Sequence, residues 1–234
     1  MTPVSRFLRA VTPAVVLCLM LATAADAGPT FRELGEYKDT PFQAAGCPAK
    51  ATCQAVGHVT GFQVEIGKHR NPYVINHSGR IVAFTIKLGN PNKSQTNFFT
   101  NLFGGRPTAR ISLLKKPKPD VRHHVDLRLV GQSEVFDLTD YLGSTPTFAL
   151  SQALVVPPHS TIALTVPTWA PAFAVNAGKT YAWRSSRLKG DCGGTSQRAQ
   201  QAVGSITYYD CFYRGPRLLF SATFLRDPKK TKKG

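Results

Sequence analysis

Phe62-Gln63-Val64-Glu65-Ile66 and Val82-Ala83-Phe84-Thr85-Ile86-Lys87-Leu88 decide the fold class. In each stretch apolar side chains take every second position, which places them on one face of an extended chain and their neighbours on the other. The same period of two returns at Val125, Leu127 and Leu129, at Ile162, Leu164 and Val166, and at Leu218, Phe220, Ala222 and Phe224. Shorter runs of this kind lie at 109–114, 147–150 and 181–184. Turn formers stand between them at Asn76-His77-Ser78-Gly79, Val156-Pro157-Pro158-His159 and Asn176-Ala177-Gly178. Many short strands punctuated in this way predict an all-β protein, a single β-sandwich of jelly-roll-like or Ig-like type over residues 51–226.

One segment departs from the pattern. Asn90-Pro91 suits an N-cap followed by proline at the first helical position, and Phe98, Phe99, Leu102 and Phe103 recur at a spacing of four before Gly104-Gly105. This predicts one short amphipathic helix over 91–103. The ends differ from the middle. Arg6 and Arg9 precede an apolar run from Val11 to Ala24, and Ala25-Asp26-Ala27 gives a small-x-small cleavage pattern, so residues 1–27 read as a cleaved signal peptide. The run is shorter than the roughly 20 residues that span a bilayer. Residues 28–50 show little periodicity and read as an irregular N-terminal segment. Residues 227–234 read as a basic, solvated tail carrying Lys229, Lys230, Lys232 and Lys233.

Export sets the chemistry expected of the cysteines. After removal of Cys18 with the leader, Cys47, Cys53, Cys192 and Cys211 remain, an even count that in an oxidising compartment points to two disulfides. Proximity in sequence favours Cys47 with Cys53 and Cys192 with Cys211. Neither spacing matches the paired knuckle of a zinc site. The formal net charge of +16 directs attention to polyanions, and outside the cell these are anionic wall polymers or glycans rather than nucleic acid. Lys229, Lys230, Lys232 and Lys233 are the expected polyanion-binding residues. Nothing in the sequence calls for a cofactor.

Gly79-Arg80-Ile81-Val82-Ala83-Phe84, Ala163-Leu164-Thr165-Val166-Pro167-Thr168-Trp169-Ala170-Pro171 and Arg217-Leu218-Leu219-Phe220-Ser221-Ala222-Thr223 together resemble uncharacterised secreted proteins of high-GC actinobacteria. The resemblance covers most of residues 50–226 and implies a β-sandwich in an exported bacterial protein. It implies no activity.

Three constellations invite a chemical reading. Gly190-Asp191-Cys192-Gly193-Gly194 resembles the nucleophile loop of chymotrypsin-like cysteine proteases, with His58, His69 or His77 as base and Asp120, Asp126, Asp137 or Asp140 as its partner. A disulfide to Cys211 is the competing role for Cys192. His124 and Asp126 share a strand face and, with His123, offer too few ligands for a metal site. Trp169, in an expected loop between Pro167 and Pro171, and Tyr208, Tyr209 and Tyr213 around Cys211 supply aromatic faces for a ligand or for the core. The leading expectation is therefore a secreted, noncatalytic β-sandwich that binds or decorates the cell surface. The alternative is a secreted hydrolase using Cys192, and a purely structural surface protein is a third reading.

Overall fold

The computed structural model describes residues 30–47, 52–117 and 125–228. Residues 1–27, expected as a signal peptide, together with His123, His124, Asp120 and the four tail lysines, lie outside the described residues. Fourteen strands, one α-helix and one turn of 3-10 helix (Thr139–Tyr141) make up the regular structure among them. In chain order these are β1 (Thr30–Leu34), β2 (Val56–Ile66), β3 (His69–Arg70), β4 (Val74–Ile75), β5 (Gly79–Ile86), α1 (Lys93–Phe103), β6 (Thr108–Lys115) and β7 (Asp126–Gln132). Then follow β8 (Phe136–Asp137), β9 (Thr147–Val156), β10 (Ser160–Ala170), β11 (Phe173–Ser185), β12 (Ile206–Tyr208), β13 (Cys211–Leu218) and β14 (Phe220–Arg226).

The strands form two antiparallel sheets. The smaller runs β1-β14-β5-β9, and the larger runs β12-β7-β6-β10-β2-β11-β13, with the two-residue strands β3, β4 and β8 attached to β2, β10 and β6. Leu34, Ile81, Phe84, Ile86, Phe148, Phe220 and Phe224 of the smaller sheet share one buried cluster with Val59, Ile66, Ile111, Leu113, Ile162, Leu164 and Val166 of the larger. That cluster is the sandwich core, and it confirms the all-β expectation. The larger sheet is also covered on its outer face, where Phe62, Leu114, Leu127, Leu129, Ala163 and Tyr209 form a second cluster.

Bulges reset the phase of both decisive stretches. On β5 the register against β14 passes from Ile81 to Ala83 while β14 advances by one residue, so Val82 is extra and Ile81, not Val82, joins Phe84 and Ile86 in the core. On β2 the pairing with β11 skips Val64 in the same way. Phe62 and Val64 therefore pack on the outer cluster, whereas Ile66 packs on the inner one. Asn176-Ala177-Gly178, expected as a turn, lies inside β11 as a third irregularity, with Gly178 at φ 114°.

The helix starts two residues later than its sequence signals suggest. Asn92 is the N-cap: its side chain accepts from Gln95 N at 3.0 Å, and the Gln95 side chain accepts from Asn92 N at 2.8 Å. Gly104, at φ 70°, closes the helix in the left-handed region. Phe99 and Phe103, one turn apart, are the buried face, while Phe98 and Leu102 stay largely exposed.

The start of the N-terminal segment is a strand, while residues 35–47 carry no regular element beyond a bridge between Tyr37 and Thr40. Thr30–Leu34 pairs with β14, and the chain after it is held by Arg217 of β13, which is fully buried. Arg217 donates through Nη2 to Gly35 O at 2.9 Å and through Nη1 to Thr40 O at 3.1 Å and Pro41 O at 2.8 Å. Its guanidinium also lies over the rings of Phe42 and Tyr181, 5.2 and 5.7 Å from their centroids. Gly35 itself adopts φ 94° with the Tyr73 ring packed where a Cβ would stand, so only glycine fits there. The contacts that order this segment come from residues nearly two hundred positions away, which is why no local periodicity marks it.

Candidate functional site

The feature with most potential chemistry is the loop between β11 and β12, residues 186–205, held against the start of β2. A disulfide staples it to β13: Cys192 and Cys211 are joined, with Cα atoms 5.4 Å apart. The second bridge joins Cys47 to Cys53, so both pairings follow sequence proximity. The Cys192 carbonyl accepts from Arg187 Nη1 at 2.9 Å and from the Tyr213 hydroxyl. Further along, His58 of β2 lies between Phe103 O, 2.9 Å from Nε2, and Thr195 O, 3.2 Å from Nδ1, with Arg198 Nη1 3.1 Å from Nε2.

A buried polar ladder anchors the far end of the loop. Ser112, Thr165 and Thr60, on the neighbouring strands β6, β10 and β2, link their hydroxyls at 2.6 and 2.9 Å. Thr60 Oγ1 then accepts from Gln200 N at 3.1 Å. The Gln200 amide donates to Leu127 O and Ser205 O, and its oxygen accepts from the Tyr209 hydroxyl at 2.7 Å. Each member finds a partner, which is the condition under which a buried network stabilises. Opening the disulfide in a Cys192→Ser, Cys211→Ser double variant is expected to lower stability by about 3 kcal/mol, the loop-closure value for a separation of 19 residues. Thermal melts with and without reductant check this, because the variant should no longer respond to reductant at this loop.

The stapled loop separates two clefts. One, of about 430 Å³, is lined by Val56, Val59, Phe103, Phe173, Trp183 and Tyr213, with Arg187 its one charged lining residue. Trp183 stacks on Tyr213 at 4.5 Å and meets the edge of Phe173 at 5.8 Å. The ring also packs against Gly61, where a Cβ would approach it to 2.7 Å. The other cleft, of about 290 Å³, lies between Leu188, Gln197, Arg198, Ile206 and Tyr208. A larger hollow of about 510 Å³ lies between residues 43–46, Thr52 and Gln54 on one side and 174–177 on the other, and none of these lining residues is titratable.

These positions sort the expected site residues. Trp169 is not in a loop: it lies on β10, fully buried, stacked on Phe99 at 5.2 Å and donating from Nε1 to Gly105 O at 3.0 Å. It is a core residue rather than the loop-borne ligand contact expected from its flanking prolines. Tyr209 is likewise fully buried, and desolvation raises its hydroxyl pKa far above the usual tyrosine value. Tyr208 and Tyr213 remain at clefts, on opposite sides of the loop. Sequence reasoning missed Trp183 and Arg187. Trp183 looked like any strand aromatic, and nothing near Arg187 in sequence distinguishes it from the other arginines.

The disulfide removes Cys192 from the nucleophile role, since a bridged sulfur has no thiolate to offer. His58, the histidine at this loop, faces backbone carbonyls and an arginine rather than a carboxylate. His69 does meet one, with Nε2 3.0 Å from Asp39 Oδ1, but at the other end of β2, stacked 3.7 Å from Tyr37. There the bonds from His69 and Lys68 hold the Asp39 carboxyl down at about 2. No group of three metal-ligating side chains occurs among the described residues. No helix among them is long and apolar enough to cross a membrane. No protein-family model, curated protein or solved structure matches this chain.

Proposed function

We propose that this chain is an exported, noncatalytic β-sandwich protein that binds anionic polymers of the cell surface. The single observation that supports it best is positive charge set on ordered strands without compensation. Lys115 of β6 and Arg128 of β7 are register partners, a like-charge pair that weakens a sheet. Among the described residues neither forms an ion pair. The paired carboxylates are engaged elsewhere, Asp39 with Lys68 and His69, Glu65 with Arg70 and Arg214, Asp137 with Arg106, and Asp227 with Arg80. With 29 lysines and arginines against 13 acidic residues, most cationic side chains have no acidic counterpart. Such a surface attracts polyanions at long range. The two disulfides agree with a place outside the cell.

Retention on anionic wall polymer across a salt series tests the proposal. Binding should weaken steeply as salt rises, since screening shortens the reach of exposed charges to about 8 Å at physiological ionic strength. Retention that is absent at low salt, or indifferent to salt, overturns it. Lys115→Glu should separate stability from binding. It replaces the like-charge pair with an opposite one, raising stability by about 0.5 kcal/mol while lowering retention. Deleting residues 228–234 measures the share contributed by the tail lysines.

A further inference from the structure

We infer that the cleft between Arg187 and Tyr213 is a subsite for a carboxylated pyranose, an assignment that rests on the surface-polymer reading above. Its volume of about 430 Å³ falls in the range of small-ligand sites. Phe173, Tyr213 and Pro216, each half-buried in its lining, present flat apolar surfaces to the C–H face of a sugar ring. Gln54 and Thr195 are exposed lining residues and bring an amide and a hydroxyl within the same cleft.

Arg187 sets the charge of the ligand. Its two bonds, to Cys192 O and Gly57 O, hold the guanidinium in one orientation before any ligand arrives. A planar fork fixed in this way favours a carboxylate and loses little side-chain entropy on binding it. Two further donors in the lining residues are unmet: Trp183 Nε1 and Arg187 Nε are buried and have no hydrogen-bond partner among the described residues. Trp183 as a whole is 3% exposed. With Gln54, Thr195 and the Arg187 guanidinium in its lining, the cleft suits a ligand rich in oxygen acceptors better than a hydrocarbon chain of the same size.

The two tryptophans provide the experiment. Trp183 lines the cleft, whereas Trp169 donates to Gly105 O in the cluster under α1 and serves as an internal reference. Indole N–H resonances of the mature protein are followed while adding a glucuronate-containing oligosaccharide, a neutral oligosaccharide of equal length, a glycerol phosphate oligomer and decanoate. The expected result is a saturable shift of the Trp183 signal with the glucuronate probe, a still Trp169 signal, and affinity at least tenfold weaker for the neutral probe. Thr195→Phe, which fills the cleft without removing the Thr195 carbonyl that faces His58, should abolish the shift and leave the melting temperature unchanged. Arg187→Gln should do the same for binding, but it also removes loop contacts, so Thr195→Phe carries the test. No shift with the glucuronate probe overturns the assignment, as do equal affinity for the neutral sugar, tighter binding of glycerol phosphate or decanoate, or a shift that survives in Thr195→Phe. Loss of oligosaccharide binding with salt-sensitive polymer retention intact removes the subsite alone. Specific oligosaccharide binding without salt-sensitive retention removes the polyelectrolyte reading alone.

Discussion

Arg217→Met is expected to lower stability by about 4 kcal/mol, and with it the melting temperature by about 12 °C. Arg217 is fully buried and serves three backbone carbonyls, those of Gly35, Thr40 and Pro41. Hydrogen bonds from a charged donor are each worth about 1.5–3 kcal/mol, and methionine leaves the carbonyls of Gly35 and Thr40 buried and unmet, while that of Pro41, on an exposed residue, can turn to water. Packing changes little, because the unbranched side chain still fills much of the space beside Phe42 and Tyr181. Arg217→Lys should recover only a minor part of the loss. One ammonium cannot reproduce a planar fork spread over carbonyls on both sides. Denaturant unfolding of the three proteins side by side reads the order. A methionine variant within 1 kcal/mol of the parent would show that residues 35–42 are held by something other than this arginine.

Alkaline pH is the second large lever. Tyr73 is fully buried with its hydroxyl donating to Phe220 O, and Tyr209 is buried with its hydroxyl on Gln200. Desolvation raises the pKa of both. The unfolded chain releases these protons near pH 10, while the folded protein keeps them. Above that pH the native state therefore binds more protons than the unfolded state, and stability falls as pH rises. It is fully present below pH 10 and is lost as pH rises beyond it, at up to about 1.4 kcal/mol per pH unit for each tyrosine that the fold keeps protonated. Tyrosinate absorbance should show two of the seven tyrosines ionising only as the fold is lost. Tyr209→Phe should make the alkaline limb shallower and cost about 1 kcal/mol at neutral pH for the lost bond to Gln200. An unchanged limb in that variant would exclude Tyr209 as a source.

How far the sequence could be read depended on how locally each feature is determined. The helix was legible because its cap, its aromatic spacing and its terminal glycine lie within a dozen residues, and the misplaced cap, Asn90 for Asn92, arose because both asparagines satisfy the same rule until Gln95 chooses between them. The disulfides were legible for a similar reason, since each closes a short loop. The first strand was not. Thr30–Leu34 is exposed over most of its length and carries no alternating apolar face, so only its pairing with β14 makes it a strand. Nor was the fate of Trp169, whose two flanking prolines suggest a loop while β10 continues past the first of them.

The candidate cleft was illegible for a stronger reason. Val56 and Val59, Trp183, Arg187 and Tyr213 belong to separate segments that meet only after β2, β11 and β13 have paired and Cys192 has been drawn to Cys211. By itself the sequence determined the period-two strands, one short helix, the pairing of nearby cysteines and the excess of positive charge. All of these depend on neighbours along the chain or on composition. The tertiary structure alone decided which face each strand buries, because single-residue bulges at Val64 and Val82 reverse the alternation and a bulge exists only against a partner strand. It also decided that Trp169 is core and that Trp183 and Arg187 share a cleft, since burial and proximity follow from packing between residues far apart in sequence.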